Sequence, residues 1–126
     1  MTVRYEDGMR TRRRVLGDAH VDRSLARATE LDAPFQRLIT EAAWGHVWSS
    51  DALTLRERSM ISPALLAGLG NHEEFELLLR ATVRPGASAQ DVAQVLQHVA
   101  IYAGVPRANS AMKIAKAVLA ELEEKP

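Results

Sequence analysis

Apolar residues recur along this chain at three- and four-residue spacing, and the strict alternation of a half-buried strand is missing. Val92, Val95, Leu96, Val99 and Ala103 fall on one stripe, and the last segment repeats the pattern with Ala111, Met112, Ala115, Val118, Leu119 and Leu122. A third stripe, Phe35, Leu38, Ile39 and Ala42, runs toward Trp48 from Asp32, an N-cap with Pro34 in the first turn. Three segments open on a capping residue followed three positions later by an acid: Thr54 with Glu57, Asn71 with Glu74 and Ser88 with Asp91. With Gly70, Pro85-Gly86 and Gly104 as stops, these predict helices from Thr54 to Leu69, from Asn71 to about Val83 and from Ser88 to Ala103. Upstream, Met9 to Leu16 and Val21 to Ala28 predict two shorter helices around Gly17. Pro63 removes the bond to the Ser59 carbonyl inside the Thr54 helix and predicts a bend there. Glu121 to Pro126 read as a charged, fraying end. The fold class is all-α, with about five to seven helices in a single domain over residues 1–126.

Composition narrows the chemistry. At 126 residues and 47% hydrophobic content the chain can bury a core without disulfides. Sixteen basic residues balance sixteen acidic ones, so no overall field draws it to nucleic acid or a membrane surface, and anion recognition has to be local. The absence of cysteine removes disulfides, thiolate zinc sites, thiol nucleophiles and every C-x-x-C redox mechanism. No apolar run reaches transmembrane length, and the arginines at 10, 12, 13 and 14 have no apolar segment behind them, which places the chain in the cytoplasm.

No motif carries a reaction by itself. His20, His46, His72 and His98 recur every 26 residues, but their surroundings differ and the regularity reads as chance. No H-x-x-x-H pair exists, so no metal site is expected; serine-elbow, phosphate-loop and dinucleotide fingerprints are missing as well. Trp44 and Trp48, four apart on one helix, serve either as hydrophobic anchors or as ligand walls. The cluster from Arg10 to Arg14 is either a solvated face or an anion site.

The stretch Arg4-Tyr5-Glu6-Asp7-Gly8-Met9, followed by Arg13 to Arg23, resembles the N-terminal signature of the carboxymuconolactone decarboxylase family. Ile39-Thr40, Ala43-Trp44-Gly45 and Trp48 resemble its central helix, and Ala100 to Pro106 with Ala108 to Ala111 resemble its C-terminal signature. The resemblance implies an alkylhydroperoxidase-like helical fold in a ring-shaped homo-oligomer, trimer or hexamer. It also implies cofactor-free conversion of 4-carboxymuconolactone, a small acidic lactone, to 3-oxoadipate enol-lactone and carbon dioxide. Loss of carbon dioxide leaves an electron pair that delocalises into the lactone carbonyl, and the carbon must then be protonated. By position, the resemblance makes Arg13, Arg58 and Arg80 partners for carboxylate or oxyanion. It makes His20 the proton donor, and Trp44, Trp48, Tyr102 and Asn109 the pocket walls. An apolar wall is also expected, because desolvation raises the energy of the departing carboxylate.

The chain departs from the family pattern at polar positions. Leu78 stands where a histidine is usual, Ala42 where some relatives carry histidine, His46 where they carry an acid, Pro63 for an aliphatic residue, and Arg84-Pro85 for an Asn-Asn pair. Either another donor, His20 or His46, protonates the product, or the reaction has changed. Two alternatives stand beside the decarboxylase: a diverged paralogue acting on another small acid or lactone, and a non-catalytic oligomeric binding protein.

Overall fold

The computed structural model describes residues 2–124, and all their regular structure is helical apart from one isolated bridge between Val83 and Ala87. The chain divides after Leu53 into two compact units.

The first unit contains α1 (Val3–Leu16), α2 (Asp18–Ala26), α3 (Ala33–Ile39) and a π-helix (Thr40–Trp48). α1 starts six residues before the expected Met9, because the Thr2 hydroxyl accepts the Tyr5 amide at 3.0 Å and caps a first turn too polar to show a stripe. Gly17 sits at φ 90°, a glycine conformation, and separates α1 from α2 where the break was expected. The expected single α-helix from Asp32 to Trp48 is corrected: it is α only to Ile39 and continues as nine residues of π-helix, whose bonds run i→i+5. Thr40 begins the wider winding, with its hydroxyl donating to the Gln36 carbonyl at 2.8 Å, a local bond that competes with regular helix. At the far end the Ser49 hydroxyl donates to the Trp44 carbonyl at 2.6 Å.

α1 lies against the π-helix at backbone contact. A Cβ on Gly8 would run into the Thr40 carbonyl oxygen, and one on Gly45 into the Arg4 carbonyl oxygen. Val21 and Trp44 supply buried apolar surface, and Arg12 is buried beside them. Its guanidinium donates to Thr40 Oγ1 at 3.4 Å and Gln36 Oε1 at 3.2 Å, both neutral oxygens, and desolvation lowers its pKa.

The second unit contains α4 (Leu55–Leu69), α5 (His72–Thr82), α6 (Ala89–Tyr102) and α7 (Val105–Glu124). Two of the expected capping boxes close, Thr54 with Glu57 and Ser88 with Asp91. The third does not. Asn71 has ψ 77° instead of the extended backbone of Thr54 and Ser88, and its side chain caps nothing. Pro63 is inside α4 and buried. Phe75, Leu79, Leu96, Val99, Ala111 and Val118 form the centre of this unit's core, so the stripes of the last two helices do face one another. The expected fraying end is corrected at Glu121, which is helical and paired to Arg80, with α7 running on to Glu124; Lys125 and Pro126 lie outside the described residues.

Candidate active site

In the second unit, α4 and α6 line an open groove of about 300 Å3. Met60, Ile61 and Ala64 form one wall, and α6 contributes Val95 with two polar side chains, Gln94 and His98. Gln94, His98 and Tyr102 recur every four residues, so they stack along one face of α6. The His98 and Tyr102 rings lie 4.9 Å apart at 27°, a stacked pair, although Tyr102 is 80% exposed. Apolar walls and a few convergent polar groups are what a small-molecule pocket offers, and the volume is at the lower end of the usual range of about 300–1,000 Å3.

A second, more polar cleft of about 480 Å3 surrounds the start of α6 and the turn before it. Two of its charged side chains are paired to each other. Arg56 pairs side-on with Asp91, Nε and Nη2 donating at 2.9 and 2.8 Å. That pairing, reinforced by the Ser88 amide, holds the Asp91 carboxyl far below the usual carboxylate range. Arg84, also in this cleft, has φ 83°, a left-handed conformation that asparagine would tolerate better. Gly86 follows because a Cβ there would strike Ser59 Oγ.

The structure distributes the sequence-predicted site residues over both units. Of those in the second unit, Arg80 donates to Glu121 at 2.6 and 3.2 Å and to Glu76 at 3.4 Å, which raises its pKa. Arg58 is half-buried on α4, Tyr102 adjoins the groove through His98, and Asn109 is exposed on α7. In the first unit, Arg13 bridges Asp18 at 3.0 Å and Asp22 at 2.9 Å, and these bonds raise its pKa. A substrate carboxylate would have to displace protein carboxylates from both Arg13 and Arg80. Trp44 and Trp48 are brought together with ring centroids 5.2 Å apart, Trp44 buried and Trp48 half-buried, and His20 is half-buried on α2. Leu78 is half-buried on α5, and its carbonyl accepts the Thr82 hydroxyl at 2.6 Å. Among the described residues no three His, Cys, Asp or Glu side chains gather as metal ligands, and no helix is long and apolar enough to cross a membrane.

Sequence reasoning passed over Gln94 and read His98 only as one of four histidines at a chance spacing. The signal was present in the four-residue spacing that leads to Tyr102, but attention to the apolar stripe of the same helix hid it. Arg12 was passed over in favour of its neighbour Arg13, because sequence does not say which arginine of a cluster turns inward.

Residues 33–117 match the profile of the carboxymuconolactone decarboxylase family, and the chain belongs to that family, an all-helical group of alkylhydroperoxidase-like fold. It is 37% identical over 119 residues to the 4-carboxymuconolactone decarboxylase of Acinetobacter baylyi, covering 94% of this chain and 89% of that protein. It is 31% identical over 121 residues to the nitrosuccinic acid decarboxylase of Metarhizium robertsii, covering 96% of this chain and 85% of the relative. A 42-residue match of 52% identity links it to a 4-carboxymuconolactone decarboxylase of Pseudomonas putida, covering 33% of this chain and 88% of that sequence.

Proposed function

We propose that this protein is a carboxy-lyase that converts 4-carboxymuconolactone to 3-oxoadipate enol-lactone, in the protocatechuate branch of the β-ketoadipate pathway, without a cofactor. The observation that carries this reading is the 37% identity to a decarboxylase of that name along 94% of the chain. The chemistry asks for few parts. The electron pair released with carbon dioxide flows into the lactone carbonyl, so the substrate is its own electron sink, and the protein needs to orient a carboxylate, stabilise an oxyanion and return a proton. Arg13, Arg58 and Arg80 are the cations assigned to carboxylate or oxyanion, and Arg13 and Arg80 would exchange their present carboxylate partners to serve. Trp44, Trp48, Tyr102 and Asn109 are the walls, and His20 the donor, that the family resemblance assigns. The protein works in the cytoplasm as a homo-oligomer, trimer or hexamer. In its support, Leu65, Leu69, Ile101 and Val105 of the second unit are each more than 60% exposed, as are Leu31 and Leu38 of the first.

A diverged activity is the second reading, and Leu78 favours it, since leucine cannot replace the titratable side chain usual there. The relative named for nitrosuccinic acid suggests how the family chemistry extends: a carboxyl group is again lost beside a strong electron sink, now a nitro group. Purified protein given 4-carboxymuconolactone and nitrosuccinate in parallel, with loss of substrate and release of carbon dioxide followed, separates the two. Turnover of the lactone supports the first reading, and turnover of nitrosuccinate alone replaces it with the second.

A further inference from the structure

We propose that the α4/α6 groove is where carbon dioxide is lost, that His98 delivers the proton to the ring carbon beside the lactone carbonyl, and that the Gln94 amide meets the developing oxyanion. This deepens the decarboxylase reading and rests on it.

Three observations converge. First, Met60, Ile61, Ala64 and Val95 give the groove apolar walls, and no arginine or lysine lines it. A cation at the departing carboxylate would stabilise the charge that has to disappear. Apolar walls do the reverse, favouring the transition state in which that charge has spread into the substrate. Second, the two polar groups of the groove lie one helical turn apart on the same face, with Cβ atoms about 5–6 Å apart. A flat five-membered ring along α6 therefore offers its carbonyl oxygen to one and its reacting carbon to the other. Third, the His98 ring is stacked on Tyr102, which restrains its orientation.

The step balances within the site. The bond between the ring carbon and the carboxyl carbon breaks, its electron pair enters the conjugated lactone, and carbon dioxide leaves. The Gln94 Nε2–H donates to the oxygen that gains charge. His98 transfers one proton to the ring carbon next to the carbonyl as the carbonyl re-forms, the double bond is left at the carbon that lost carbon dioxide, as the enol-lactone requires, and the imidazole regains a proton from solvent. Leu78, at the position where the family usually carries a histidine, has no proton to give.

The test compares wild type, His98→Gln, His98→Ala and His20→Gln on 4-carboxymuconolactone, with the His98 ring resonances followed by NMR as muconolactone is added. Muconolactone lacks the departing carboxyl group and so cannot lose carbon dioxide in the site. The expected result is a fall in kcat of about a hundredfold in His98→Gln, the usual worth of a positioned general acid, with KM changed less than threefold. Imidazole should restore part of the His98→Ala rate, as a merely structural histidine would not allow. Muconolactone should shift the His98 ring resonances, and circular dichroism should show all variants folded. A His98→Gln enzyme within threefold of wild type, or a hundredfold loss in His20→Gln alone, overturns the assignment. If wild type leaves carboxymuconolactone untouched, the proposed reaction fails, and the resonances decide on the groove alone. A shift with muconolactone then keeps it as an acid-lactone site; no shift, or a groove covered by a second copy of the chain, overturns it.

Discussion

Adding a single methyl group at Gly8 tests the backbone contact between α1 and the π-helix. In Gly8→Ala the new Cβ would overlap the Thr40 carbonyl oxygen and sit 2.8 Å from the Gly45 nitrogen and 3.0 Å from the Thr40 carbonyl carbon. Every one of these atoms is backbone, so no side chain can rotate aside, and the helices must part until ordinary contact of about 3.5–4.0 Å is restored. Overpacking of a well-filled site costs about 1–3 kcal/mol, and a backbone-limited clash belongs at the top of that range. Alanine's better helix propensity offsets about 1 kcal/mol. The net loss is about 2 kcal/mol, roughly a thirtyfold drop in the folded-to-unfolded ratio of this unit. With an m-value of about 2 kcal/mol per molar for a small domain, the urea midpoint should fall by about 1 M. Both tryptophans of the chain, Trp44 and Trp48, are in the π-helix, so their fluorescence reports this unit directly. Gly45→Ala, which meets the Arg4 carbonyl, should behave alike. The double variant should cost less than the sum, because helices parted by one methyl group accommodate the second. A Gly8→Ala midpoint at or above that of wild type refutes the argument.

Four further outcomes are expected. Arg84→Asn should raise stability by about 1 kcal/mol in urea melts, because asparagine tolerates the left-handed backbone that arginine occupies under strain; an unchanged midpoint contradicts that strain. Asp91 is held below its ordinary pKa by Arg56, so its contribution is present above the unfolded-state value of about 3.9 and is lost as pH falls through the range below it. Asp91→Asn should therefore be less stable than wild type at pH 7 and show a shallower decline on acidification, read as midpoints across pH; equal slopes would show the pair to be idle. Activity should survive exhaustive chelation, and loss rescued by zinc, manganese or iron overturns the cofactor-free reaction. Light scattering should give a mass above that of a dimer, against which a monodisperse monomer at micromolar concentration would count.

Much of the second unit was legible because its elements depend on local rules. Thr54 with Glu57 and Ser88 with Asp91 close their capping boxes through residues three apart, and the stripes from Val92 and Ala111 needed only a period of 3.6. Asn71 shows the limit of such rules, since the same residue pattern fails when the preceding turn sets its ψ. The first unit was less legible because its geometry comes from contact. Nothing local distinguishes Thr40 to Trp48 from ordinary helix; Gly8 and Gly45 touch residues more than thirty positions away. For the site, family resemblance pointed to the arginines, but sequence could not show that Arg13 and Arg80 are held by Asp18, Asp22, Glu76 and Glu121. His98 was readable as a four-residue neighbour of Tyr102, yet only the facing wall of α4 made it part of a groove.

A π-helix has the same residues as an α-helix but a longer reach per bonded ring, so Thr40 to Trp48 stores slack that the rest of the fold does not have. A one-residue deletion in an ordinary helix turns everything beyond it by about 100° and misplaces a whole face. Within this segment the same deletion has a compensating option, since α winding uses fewer residues per turn. Length variation among homologues should therefore gather between residues 41 and 47. The cost would fall on Ser49, whose hydroxyl now reaches both the Trp44 carbonyl and Thr11 and would lose that double attachment. Reading frame and helical phase, normally locked together, are loosely geared here, and a lineage could change the spacing between its tryptophans without rebuilding α1.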